Sequence, residues 1–453
     1  MSTLQSPRRQ MGFWMCLALV VGNTVGSGVY LLPASLGPYG LNSVFGWLVT
    51  SGGAIALAVV FARLAKLFPQ AGGPYVYARV AFGEGVGFFM AWGYWMGIWV
   101  GNAAIAIATV AYLAELIPWI KHTRGGPALA SCAIIWVLTY VNWRGTRQSG
   151  GLQIVTTVLK LLPLAAIILL GVWLLITADV SVIELQPTPF SLASVNASAI
   201  LTLWAFLGLE SATVPAGSVE NPQRNIPLAT LWGTLMVAGI YILACSVVVL
   251  LIPGSQLASS SAPFADVMRM FWGDGVAGTL ALFAFISGFG ALNGWILLQG
   301  EMPRVLANEG VFPKIFARES RHGTPGMSLL ITSGLLTLLV LMNYSRSMVQ
   351  VFTFIILVAT STYLVMYLCC AVAALKLCWG GVLGEAGRRL SLFLLVAMLA
   401  ALYSLWTLFG AGAEAFWWSM ALFAAGLPVY WPMKWALNRA SKRAAPPATR
   451  PSS

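Results

Sequence analysis

The chain has 453 residues, 59% of them hydrophobic and only 8% charged, with a mean hydropathy of +0.84. These values lie outside the range of a soluble globular domain and define a polytopic membrane protein. The formal net charge of +12 is explained by topology rather than by nucleic acid.

A hydrocarbon core of roughly 30 Å needs about 20 helical residues per crossing. Charge-poor blocks of that length recur, and the chain reads as all-α with twelve transmembrane helices: 11–32, 41–62, 85–117, 126–143, 150–176, 194–218, 226–252, 275–300, 326–343, 348–375, 390–410 and 414–433. Residues 1–10 form a cytosolic amino-terminal segment, 11–433 the membrane domain, and 434–453 a basic tail rich in Pro, Ala and Ser. Such a tail is expected to be disordered and to meet anionic lipid. Arg8 and Arg9 precede an apolar run, but that run is too long for a signal peptide and has no convincing small-residue cleavage site.

The first span is interrupted by Gly22-Asn23-Thr24-Val25-Gly26-Ser27-Gly28. A helix in lipid must satisfy its own backbone, so clustered glycine there marks a helix broken where it lines a cavity. The third span carries Gly93, Gly97 and Gly101, a packing ridge first and a site second. Tyr94, Gly97, Asn102 and Ile105 fall near one face of that span.

In the fifth span Lys160 lies about 13 Å from Gly151 at 1.5 Å per residue. It either serves function or snorkels toward water. The sixth span carries a second interruption at Trp204-Ala205-Phe206-Leu207-Gly208-Leu209-Glu210. Gly26 and Gly208 are each followed seven residues later by proline, Pro33 and Pro215. Matched interruptions five spans apart indicate a five-plus-five inverted repeat, 11–176 and 194–375, with broken helices 1 and 6 and the last two spans outside the core. An intramembrane acid such as Glu210 is costly, since insertion scales put Asp and the basic residues at roughly 2.5 to 3.5 kcal/mol. It therefore faces a cavity or a partner, and either holds a neighbouring helix or changes protonation during a working cycle.

With both termini cytosolic, 20 of the 25 Lys and Arg fall inside, as the positive-inside rule requires. The six cysteines are scattered without metal-ligand spacing, and His122 and His322 lie in loops. There is no H-E-x-x-H motif and no nucleophile elbow, so an intramembrane enzyme is disfavoured. No cofactor or metal is called for, and a homodimer is compatible with the apolar exterior.

Taken together, Gly22-Asn23 through Gly26-Ser27-Gly28 to Pro33, Gly72-Gly73-Pro74-Tyr75, Tyr94-Trp95 with Gly101-Asn102, Trp204 to Ala212 with Glu220-Asn221-Pro222, Gly294-Trp295 and Asn308 to Phe316 resemble the amino acid/polyamine antiporter branch of the amino acid-polyamine-organocation superfamily. The arginine/agmatine and putrescine/ornithine exchangers are the members most similar in pattern. The resemblance implies a LeuT-like fold in a bacterial inner membrane and a site for a small amino acid or polyamine. It places the substrate carboxylate on Ser27 and the N–H groups near Gly28, and the α-ammonium on carbonyls near Thr24, Trp204 and Leu207. It sets the distal head on Asn102 and the aliphatic part under Trp204 and Trp295, with Asn23, Gly26, Gly97 and Ile105 completing the pocket. Tyr75, Tyr94, Glu210 and Phe352 are implied in gating or pH response. Lys160 departs from the arginine/agmatine pattern, so proton-coupled uptake stands beside exchange as an alternative.

Overall fold

The computed structural model describes residues 11–26, 28–70, 72–145, 150–177, 188–213, 216, 219–342, 347–380 and 388–434, with backbone alone for 150–158 and 388–389. The amino-terminal segment 1–10, the tail from 435 onward, Ser27 and Pro215 lie outside the described residues.

Sixteen α-helices follow in chain order: α1 (Phe13–Thr24), α2 (Gly28–Leu36), α3 (Asn42–Leu67), α4 (Pro74–Phe82), α5 (Glu84–Leu116), α6 (Pro118–His122), α7 (Gly126–Trp143), α8 (Gly150–Thr177), α9 (Leu192–Trp204), α10 (Pro222–Leu251), α11 (Gly254–Leu257), α12 (Pro263–Asn308), α13 (Gly326–Met342), α14 (Met348–Trp379), α15 (Arg388–Phe409) and α16 (Gly412–Ala424). Eight helices among the described residues are long and apolar enough to cross a membrane, and the bent pair α1–α2 makes a ninth span. α9 and α13 are shorter apolar helices, and α16 occupies the last expected position. The protein is an all-α integral membrane protein.

The first span breaks where the glycines predict, with a bend of 41° between its halves. The sixth behaves differently from expectation. Its helix ends at Trp204, and the chain continues through tight turns, Ala205 N to Thr202 O at 3.1 Å and Phe206 N to Leu203 O at 2.9 Å, into a 3-10 turn at Ser211–Thr213. Gly208 has φ +107, a left-handed conformation open to glycine, so the path cannot run on as the helix expected to 218. The eighth span also differs, because α12 starts at Pro263 rather than 275. Gly273, with φ +77, bends it two residues before the expected start.

α5 lies at the centre, with 94% of its membrane window buried against 28% for α15. Its glycine ridge explains how neighbours approach it. A methyl group on Gly93 would meet the Phe423 ring at 2.3 Å, on Gly97 the Tyr363 ring at 2.5 Å, and on Gly101 the Trp204 ring at 2.9 Å. α15 packs on α3 and α14, and α16 on α5 and α14, placing both outside the broken-helix core. A single backbone bridge, Glu220 N to Met11 O at 3.0 Å, ties the start of the first span to the chain after the sixth.

Candidate functional site

The break in the first span leaves the terminal carbonyls of α1 without helical partners, and each has found a donor. Val25 N closes on Val21 O at 2.8 Å. Lys160 Nζ donates to Gly22 O at 3.0 Å, Trp295 Nε1 to Asn23 O at 3.2 Å, and Tyr241 OH to Thr24 O at 2.9 Å. Three donors from α8, α12 and α10 thus hold three consecutive carbonyls. Thr24 is therefore already occupied by Tyr241. In the second break, Leu207 N bonds the Trp204 carbonyl at 3.2 Å, while the Leu207 carbonyl accepts no hydrogen bond from any described residue.

Between the two breaks lies a narrow cavity with about 30 Å³ of free interior. Asn23, Thr24 and Gly26 line it from the first break and Gly28 from the start of α2. Gly97, Asn102 and Ile105 contribute from α5, Trp204 and Leu207 from the second break, and Trp295 from α12. Every substrate-site residue expected from the sequence is thus present except Ser27, which lies outside the described residues. A single water needs roughly 10–15 Å³ by this measure, so an amino acid enters only if the indoles move. They are well placed to do so. A methyl on Gly28 would meet Trp204 Nε1 at 2.6 Å, and one on Gly208 would meet Trp295 Cζ2 at 3.3 Å, so the glycines are the clearance for two aromatic plugs.

Sequence reasoning missed Val29, Ile98, Gly101, Ala205 and Tyr363 in the lining. It also missed Gln299, whose Oε1 accepts from Asn102 Nδ2 at 2.7 Å. The available signal was an isolated amide in an apolar span, one helical turn from Trp295.

Glu210 is fully buried. Its Oε2 accepts from Tyr367 OH at 2.6 Å and Gly208 N at 3.3 Å, while Oε1 has no partner. Tyr94 packs edge-on against Tyr363, and Tyr363 against Tyr367, so this aromatic group runs from the cavity wall at Tyr363 to the carboxylate. Lys160 is 3% exposed and turns inward to the break, which removes snorkelling as its explanation. Tyr75 lies on α4 outside the spans, where its hydroxyl accepts from Arg79 at 3.1 Å. Burial pushes its phenol up, against the lowering effect of the Arg79 charge. Phe352 is buried in the first turn of α14 and does not line the cavity.

A bundle of membrane-spanning helices with two facing breaks around a closed midway cavity defines a membrane transporter, not an enzyme. The family model for amino acid permeases matches residues 11–437, and the chain belongs to that family, within its amino acid/polyamine antiporter branch. The putrescine transporter PotE of Escherichia coli (strain K12) is 32% identical over 91% of this chain and 93% of its own length. The cadaverine/lysine antiporter of the same strain is 36% identical over 75% of this chain and 77% of its own. Among solved structures, a manganese transporter of Eremococcus coleocola, crystallised with an aromatic bis-isothiourea substituted compound, aligns over 94% of both chains. Its TM-score is 0.56 at 11% identity, a likeness of fold alone.

Proposed function

We propose that this protein exchanges a cationic amino acid, such as arginine, ornithine or lysine, for its decarboxylated amine or another amino acid. It works by alternating access in a bacterial inner membrane, with both termini cytosolic. The observation that carries this reading is the convergence of the α2 start at Gly28, the open Leu207 carbonyl, Asn102 and two indoles on one cavity.

The chemistry follows from those groups. The substrate carboxylate rests on the first N–H groups of α2 together with Ser27, where the helix dipole favours an anion. The α-ammonium meets the Leu207 carbonyl, and the distal head reaches Asn102. Trp204 and Trp295 cover the aliphatic part and attract the cation through their ring faces. The repeats 11–176 and 194–375 then rock about the occupied site, while Tyr94 and Glu210 near the cavity, and Tyr75 and Phe352 farther away, act in gating. The names of the relatives favour exchange over the proton-coupled uptake considered for Lys160, whose ammonium instead holds the helix break.

In proteoliposomes, uptake of labelled arginine or ornithine is expected only when amino acid or amine is trapped inside. Equal uptake into empty vesicles would overturn exchange.

A further inference from the structure

The Asn102 amide is held in one orientation by a chain of side chains anchored on the main chain. Thr139 of α7 donates its only hydroxyl proton to Ile135 O at 2.7 Å, so toward Ser333 of α13, 2.7 Å away, its oxygen acts as acceptor. Ser333 thereby uses its own proton and accepts from Gln299 Nε2 at 3.1 Å. Gln299 is left to turn Oε1 toward Asn102, whose Nδ2 donates to it at 2.7 Å. All four side chains are buried, none more than 1% exposed.

Reversing the order would oblige Ser333 to donate to Gln299, leaving the Thr139 oxygen without its donor. The reversed chain has one hydrogen bond fewer, and a buried network with an unmet member is disfavoured. The observed order leaves Asn102 Oδ1 as the free end. That oxygen is buried without a hydrogen-bond partner, in a residue that lines the cavity.

We propose that Thr139, Ser333 and Gln299 set the specificity of the cavity by presenting Asn102 as an acceptor, selecting substrates whose distal group donates hydrogen bonds and rejecting heads that only accept. The favoured class is a guanidinium or ammonium head, and the rejected one a carboxylate. Gln299 is a positioning residue, since it touches Asn102 rather than the substrate. This inference rests on the reading that an amino acid occupies the cavity.

The test compares L-arginine, whose head only donates, with L-citrulline, whose ureido group both donates and accepts and so tolerates either amide orientation. In reconstituted protein, Gln299→Leu is expected to raise the half-saturating concentration for arginine by about tenfold or more, while citrulline shifts by less than about threefold. Gln299→Glu presents an accepting oxygen to Asn102 whether or not it is protonated, and stays close to wild type for both probes. Thr139→Val removes the anchoring acceptor and shifts arginine the same way by less, which keeps the test intact if Gln299→Leu fails to fold.

An unchanged arginine-to-citrulline ratio in both Gln299→Leu and Thr139→Val overturns the inference, as does Gln299→Glu behaving like Gln299→Leu. If the wild type binds arginine without exchanging it, the transport reading fails and the same ratios, read as dissociation constants, still decide the relay. A wild type that binds neither probe overturns both.

Discussion

Lys160 and Gly22 are joined across two helices: the buried ammonium on α8 donates to the last-turn carbonyl of α1 at 3.0 Å. The Lys160 carbonyl in turn accepts from Tyr30 OH at 2.5 Å, so one residue of α8 ties α1 before the break to α2 after it. The positive charge sits at the negative end of the α1 dipole, which stabilises a helix end that would otherwise face a cavity unsatisfied.

Lys160→Met retains most of the side-chain volume and leaves the Gly22 carbonyl unpaired, a loss of roughly 1–3 kcal/mol. A lower melting temperature in detergent and slower exchange are expected. Exchange in the wild type should remain independent of an imposed pH gradient. A gradient that drives arginine accumulation without internal substrate, and loses its effect in Lys160→Met, would restore proton coupling.

Trp295→Ala removes a ring from the cavity wall and the donor to Asn23 O. A desolvated cation–π contact is worth about 2 kcal/mol, so calorimetry should show arginine affinity falling by about 30-fold at 1.4 kcal/mol per decade. Unchanged affinity would place the substrate elsewhere.

Gly28→Ala sets a methyl 2.6 Å from Trp204 Nε1. Trp204 is wedged against Gly101 on its far edge and cannot retreat freely, so transport should fall sharply while the variant still folds. Wild-type exchange by Gly28→Ala would show that Trp204 is not held against the start of α2.

Glu210→Gln keeps an oxygen to accept from Tyr367 and Gly208, so folding should survive. Only the ability to change charge is lost. Exchange measured across pH is expected to flatten relative to wild type, and a profile identical to the wild type's would remove Glu210 from the cycle.

The first break was legible because seven residues rich in Gly, Asn, Ser and Thr have no place in an unbroken lipid-facing helix. Its cavity neighbours followed from motif, and those that are described line one space. The partners of the break were not legible. Tyr241, Gln299 and Tyr367 are lone polar residues in apolar spans, and periodicity cannot say which of several helices each will meet. Lys160 was ambiguous for a related reason, because depth along a helix does not reveal whether an amine turns outward or inward. In the sixth span Gly208 drew attention to the residue with positive φ, whereas the helix yields earlier, at Trp204, where no glycine or proline marks the change.

The central claim is obligatory exchange through one site. Vesicles loaded with labelled agmatine and placed in differently labelled arginine allow influx and efflux to be counted together. One arginine entering for each agmatine leaving, with both fluxes falling in parallel in Trp295→Ala, is the expected result. Arginine entry that continues after the internal amine is exhausted, or agmatine loss without arginine outside, would contradict it.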